Sequence, residues 1–143
     1  MLNRAMIQDR LDQIRTSVNR LSRLSAMTRE AFLADPDAFA LAEHHLRRSL
    51  EAALDIGRHI VAKKGLGKPE DYSEVLSLLG QHGVLPFEFA SQIRGMASYR
   101  NRLVHLYAQV TPSEIYDLTS TRLGDLSEYS RLILAYLDSD TKA

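Results

Sequence analysis

Residues 35–65 read DPDAFALAEHHLRRSLEAALDIGRHIVAKKG. Asp35 followed by Pro36 is a helix start. The carboxylate can accept from the free N–H groups of a first turn, and proline at the first helical position loses no hydrogen bond there. Leu41, Ala42, Leu46, Ser49, Ala53, Ile56 and Ile60 then recur at helical spacing, which predicts one buried stripe on a long helix running to about Lys64. Gly57 interrupts that stripe at a cost of about 1 kcal/mol relative to alanine, so close packing against a neighbour is expected. Lys63 and Lys64 occupy the last turn, where cations offset the helix dipole, and Gly65 is a left-handed stop.

The flanking segments follow the same grammar. Ile7, Leu11, Ile14, Val18, Leu21 and Leu24 form the stripe of a helix over residues 2–25, and Thr28 caps a short helix through Leu33. Residues 65–72 (GLGKPEDY) are a loop. Ser73 is the expected cap of a short helix to Leu79, which Gly80 and Gly83 end. Pro86 opens a further helix with Phe89, Ala90, Ile93, Met96, Ala97, Leu103 and Val104 inward, continuing to about His105 or Tyr107. Thr111, Pro112, Ser113 and Glu114 are a capping box with proline at the first helical position. They start a last helix that turns Ile115, Leu118, Arg122, Leu126, Tyr129, Ile133 and Tyr136 to one side, broadened by Leu123 and Leu132. No stretch alternates with period two, so no sheet is expected. The predicted fold class is all-α: an antiparallel four-helix bundle with one or two short extra helices, in a single domain over residues 1–143 with a frayed tail after Ser139.

Composition removes several function classes. The 143 residues contain no cysteine, which excludes a disulfide framework, a thiolate zinc site, an iron–sulfur cluster and a cysteine nucleophile. No apolar run reaches the ~20 residues of a membrane-spanning helix. The amino terminus lacks the cationic-then-apolar order of a secretory signal, so a cytoplasmic protein is expected. Eighteen Lys and Arg balance eighteen Asp and Glu, for a formal charge of 0. Such a chain does not coat nucleic acid over its whole surface. The distribution says more. Residues 89–113 hold Arg94, Arg100, Arg102 and His105 with no acid; residues 56–69 hold Arg58, His59, Lys63, Lys64 and Lys68, again with no acid. Two positive patches on a neutral chain suit a small anionic target, although each taken singly is also an ordinary solvated helix face.

There is no Walker phosphate loop, no dinucleotide glycine fingerprint and no His-Glu-x-x-His helix. Glu43, His44 and His45 do not have metal-ligand spacing, because adjacent helical residues diverge by ~100°. No metal site and no cofactor are expected. Residues 96–107 (MASYRNRLVHLY) carry the chemistry. Arginine holds a phosphate bidentately at any working pH, and histidine moves a proton near neutrality. On an ideal helix Arg100 and His105 point ~140° apart, whereas Asn101 shares a face with His105 and Arg100 shares one with Tyr107. A converging site therefore needs long side chains, a distorted helix end or a second copy of the chain. The residues alone leave two readings open: a phosphodiester-cleaving site, or surface arginines beside a satisfied core histidine.

Arg100, Asn101, three residues, His105, one residue and Tyr107 resemble the signature of the HEPN superfamily, and specifically its HepT branch. The resemblance extends to residues 65–72, to residues 78–86 (LLGQHGVLP) and to residues 95–107, and covers about residues 5–136. It implies a helical bundle that forms a homodimer with the two motifs facing across a cleft. It implies the toxin half of a toxin–antitoxin pair, a metal-independent endoribonuclease for which tRNA is a candidate substrate. By position, Arg100 and His105 are the implied catalytic pair, Asn101 the supporting polar residue and Tyr107 the site where an MntA-type minimal nucleotidyltransferase attaches AMP. RNA contacts are expected from Arg94, Arg102, Arg58, Lys63 and Lys64. The competing reading is a non-catalytic helical module of the same fold that binds nucleotides or a partner.

Overall fold

Asp35 starts the central helix as its sequence dictates. In the computed structural model, which describes residues 1–105 and 110–142, its carboxylate accepts from the N–H groups of Asp37 (3.0 Å) and Ala38 (3.2 Å). Helix α3 then runs Pro36–Lys64 and stops at Gly65 in the left-handed conformation (φ 63°). Around it lie α1 (Arg4–Ser25), α2 (Arg29–Leu33), α4 (Tyr72–Gln81), α5 (Phe87–Gln92), α6 (Gly95–Val104), α7 (Pro112–Thr121) and α8 (Leu123–Lys142). The fold is all-helical, with no strand among the described residues. Helix α3 touches α1, α2, α4, α6, α7 and α8. That explains why Leu50 and Leu54, outside the predicted stripe, are buried on its second side. Leu41, placed in the stripe by spacing, is 50% exposed near the uncovered start of the helix.

Helix α1 runs antiparallel to α3. Asn3, Arg10 and Ser17 meet His59, Asp55 and His45 in turn. Two of the expected long helices are each broken in two. The helix after Pro86 tightens at Ile93 and Arg94, where Met96 N–H bonds to Ile93 C=O (2.9 Å) and Ala97 N–H to Arg94 C=O (3.3 Å), spacings of three rather than four residues. The last helix breaks at Arg122 (φ −117°, ψ 3°). Thr119, Ser120 and Thr121 are weak helix formers, and Thr121 Oγ1 donates back to the Asp117 carbonyl (2.6 Å), which loosens the last turn of α7. The cap of α4 is Asp71, whose carboxylate accepts from Glu74 N–H (2.9 Å), while the Glu74 carboxylate accepts from Glu70 N–H (2.7 Å). Ser73, the predicted cap, lies inside the helix.

Close approach is concentrated at two glycines. A Cβ on Gly57 would stand 3.0 Å from Val75 Cγ1, 3.1 Å from Leu79 Cδ1 and 3.3 Å from the Tyr129 hydroxyl. One on Gly80 would stand 2.6 Å from Ala90 Cβ, a methyl fixed to the backbone of α5. Gly80→Ala is therefore expected to push α5 off α4 and to cost about 1–3 kcal/mol, read as a thermal midpoint lower by several degrees. No helix among the described residues is long and apolar enough to cross a membrane.

The α1–α3 seam carries a pH dependence. Nδ1 of His45 lies 3.2 Å from the buried Ser17 hydroxyl, and burial, followed by His44, Arg20 and Arg48, lowers its pKa from 6.5. Nε2 of His59 accepts from Asn3 N–H at 2.9 Å, a bond the protonated ring cannot accept, and burial, then Lys63 and the amino terminus, lowers that pKa also. Both rings ionise more readily in the unfolded chain. Their contribution is thus complete above the unfolded value of about 6.5 and is lost as pH falls through the depressed folded values. Thermal melts at about pH 5 are expected to give a lower midpoint than melts at about pH 7.5, with part of the difference removed by His45→Gln.

Candidate functional site

Helix α6 delivers its polar residues at its carboxyl end. Arg100 and Asn101 lie within the helix, and His105 is the residue that leaves it, with φ −93° and ψ 87° and its N–H on the Asn101 carbonyl (3.1 Å). The constraint of a straight helix, which set Arg100 and His105 far apart in direction, therefore does not hold at His105. The histidine is solvent-exposed. Tyr107 lies outside the described residues.

Arg100 is half-buried and fixed by two neutral groups. Its guanidinium stacks 5.0 Å over the ring of Tyr72, and its Nη1 donates to Asn101 Oδ1 at 3.1 Å. Its Nε is buried and has no hydrogen-bond partner among the described residues. The amide oxygen of Asn101, the implied supporting residue, is thus engaged by Arg100.

Two of the five expected RNA contacts come to the same place. Arg58, from α3, donates its Nη1 to the Tyr72 hydroxyl (3.2 Å). Arg94, just before α6, reaches Ser73 Oγ through Nη2 (3.0 Å) and Nε (3.3 Å). Three arginines on different segments therefore converge on the first turn of α4. A cavity of about 380 Å³ beside them is lined by Arg58, Gly67, Glu70, Asp71 and Tyr72, among others. Tyr72 is the residue that sequence reasoning missed. It ends the loop GLGKPEDY, and its place in the chain gives no sign of the arginine 28 positions further on.

The other predicted contacts point elsewhere. Arg102 forms a two-pronged pair with Glu114 of α7 (2.8 and 3.1 Å) and lies 5.4 Å over the Tyr99 ring. The Arg102 hydrogen bond holds the Glu114 carboxyl below the usual carboxylate range. Lys64 pairs with Asp140 of α8 (2.5 Å), and Lys63 is exposed at the end of α3. The rings of His44 and His45 meet edge to face at 4.9 Å. Among the described residues no three His, Asp or Glu side chains converge as a metal site.

The chain matches the family described as "Ribonuclease HepT-like" over residues 14–133, a span that contains Arg58, Tyr72, Arg100 and His105. It is 30% identical over 132 residues to the tRNA nuclease HepT of Aphanizomenon flos-aquae, covering 92% of this chain and 90% of that one. It is 26% identical over 91 residues to the mRNA nuclease HepT of Shewanella oneidensis, covering 64% of this chain and 68% of that one. The fold is similar to that of a tri-AMPylated Shewanella oneidensis HEPN toxin in complex with MNT antitoxin. The TM-score is 0.82 and the identity 22%, over 94% of this chain and 99% of that one.

Proposed function

The chain belongs to the Ribonuclease HepT-like family, and from that premise we propose that it is a metal-independent endoribonuclease and the toxin of a toxin–antitoxin pair. The observation that carries this reading is the cluster on α4. Arg100, beside the histidine-bearing end of α6, is held with Arg58 and Arg94 by a tyrosine and a serine rather than by carboxylates. None of the three forms an ion pair among the described residues, which leaves donors for a phosphate.

The chemistry uses the substrate's own nucleophile. The ribose 2′-hydroxyl attacks the adjacent phosphorus while His105 accepts its proton; the 5′-oxygen leaves and takes up a proton. Products are a 2′,3′-cyclic phosphate and a 5′-hydroxyl. Arg100 stabilises the charge that develops on the phosphorane oxygens. In the proposed homodimer two such sites face one shared cleft, and the RNA is tRNA, as the name of the Aphanizomenon flos-aquae relative states for that protein.

The partner in this reading is an MntA-type minimal nucleotidyltransferase that transfers AMP to Tyr107. The adducts add bulk and negative charge two residues after His105 in the chain and repel the phosphate backbone. Tyr99 and Tyr116 are poor acceptors: Tyr99 lies under Arg102, and the half-buried Tyr116 hydroxyl donates to the Met27 carbonyl (2.6 Å). Co-expression with the nucleotidyltransferase is expected to add the mass of one or more AMP units, located by peptide mass spectrometry to Tyr107 and abolished by Tyr107→Phe. Label on Tyr99 or Tyr116 would contradict the assignment. The activity itself is tested by incubating the unmodified protein with tRNA in EDTA. Cleavage is expected; no cleavage favours the non-catalytic binding module.

A further inference from the structure

Arginines elsewhere on the chain fall into two groups. Arg4, Arg10, Arg15, Arg29, Arg102, Arg122 and Arg131 pair with carboxylates. Arg20, Arg23, Arg47 and Arg48 are exposed, with no ion pair among the described residues. Arg58 and Arg100 also form no ion pair among the described residues, but both are held on one neutral side chain. Tyr72 carries the Arg100 guanidinium on its ring face at 5.0 Å and accepts from Arg58 at its hydroxyl at 3.2 Å. Glu70 and Asp71 line the adjoining cavity, yet neither forms an ion pair with either arginine. The Asp71 carboxylate is engaged by Glu74 N–H at the start of α4.

We infer that Tyr72 is a positioning residue for Arg100, and that Arg58, held at its hydroxyl, binds a second phosphate of the strand next to the one that Arg100 serves. The inference rests on the ribonuclease reading of the Arg100–His105 site. Its physical basis is the difference between a ring and a carboxylate as a support for arginine. A carboxylate would fix the guanidinium but cancel its charge and occupy its fork; an aromatic face fixes the plane and leaves the edge donors to a ligand. Nη2 of Arg100 makes no hydrogen bond among the described residues, and Arg58 commits only Nη1. Its other donors are open to a phosphate. Since Tyr72 is the first residue of α4, its backbone is set by the Asp71 cap and by α4 packing on α3, so the support is rigid.

The two halves of Tyr72 can be separated by substitution. Tyr72→Phe keeps the ring under Arg100 and releases Arg58. Tyr72→Leu removes the ring face as well. Steady-state cleavage of tRNA gives the kcat and KM of each variant. Binding of a short fluorescein-labelled single-stranded RNA, followed by anisotropy over a range of salt on a His105→Ala background, gives affinity without chemistry.

Tyr72→Leu is expected to lower kcat by about 10²-fold, the scale of a misplaced catalytic group. Tyr72→Phe is expected to keep kcat and to raise KM toward that of Arg58→Ala. Arg58→Ala is expected to weaken binding by about tenfold and to reduce the salt slope by about one phosphate contact. A Tyr72→Leu protein that is folded by circular dichroism and retains full kcat overturns the positioning role. An unchanged salt slope in Arg58→Ala overturns the second phosphate contact. Should Tyr72→Leu fail to fold, Tyr72→Gln decides in its place: retained kcat overturns the ring as the support, and a loss of about 10²-fold beside a retained kcat in Tyr72→Phe upholds it. A wild-type protein that binds RNA but does not cut it overturns the ribonuclease reading and, with it, the kcat assignment to Tyr72, while the binding measurement still decides Arg58.

Discussion

Arg100→Ala and His105→Ala are each expected to reduce RNA cleavage by at least about a hundredfold, with the helical circular dichroism unchanged. The size follows from what each group supplies. A preorganised donor aimed at developing negative charge is worth about 10²–10³ in rate, and a positioned general acid or base about 10²–10⁴. The retained fold follows from where the groups sit. His105 is exposed beyond the last turn of α6, and Arg100 lies over Tyr72 outside the apolar core, with its nearest hydrogen bond to the adjacent residue. Neither change opens a cavity among the buried residues. Arg100→Lys is the informative intermediate: it keeps the charge but loses the planar fork and the stacking geometry, so partial activity is expected rather than full rescue. Gel analysis of cleaved tRNA measures all three variants. Equal cleavage by Arg100→Ala and the unsubstituted protein would remove the site.

The largest effect on stability is expected at Tyr129. Its side chain is fully buried in the angle between α3 and α8, and its hydroxyl donates to the Ala53 carbonyl at 2.6 Å. Burial pushes its phenol well above the usual range, so it is neutral at any working pH. Gly57 is what admits it, since a Cβ there would lie 3.3 Å from the hydroxyl. Tyr129→Ala removes an aromatic ring from a position where α3 cannot collapse, and costs about 3–5 kcal/mol. Against a total stability of about 5–15 kcal/mol that is a large share, so the thermal midpoint should fall by about 10 °C or more. Tyr129→Phe keeps the packing and loses one hydrogen bond, for about 1 kcal/mol. Circular dichroism melts separate the two. Similar midpoints for Tyr129→Ala and Tyr129→Phe would show that the ring does not hold α8 to α3.

The helix ends written in local chemistry were legible without coordinates. Thr28, Asp35, Gly65 and Thr111 act within three residues of themselves, and each caps or stops its helix as read. Gly57 was legible as a point of close approach, though not what approaches it. The breaks at Ile93–Arg94 and at Arg122 were not. Apolar spacing continues across both, and the tightened turn and the Thr121 back-bond leave no trace in hydrophobic period. The cap of α4 was misplaced because Asp71 and Ser73 both suit the role, and it is the extended backbone of Asp71 that decides.

At the site, sequence order brought Arg100, Asn101 and His105 together because one helix end carries them. It could not show that Arg58, Arg94 and Tyr72 join them, since that requires α3, α4 and α6 to meet. Nor could it separate Arg94 from Arg102. Both fall in the acid-free stretch, but Glu114, the first acid after it, folds back onto Arg102.

Analysis of the ends left on tRNA cleaved in EDTA by the purified, unmodified protein tests the central claim most directly. Attack by the 2′-hydroxyl under Arg100 and His105 predicts fragments with a 2′,3′-cyclic phosphate and a 5′-hydroxyl, formed at an unchanged rate with the chelator present. Fragments with a 5′-phosphate, or cleavage that stops with EDTA, would contradict it.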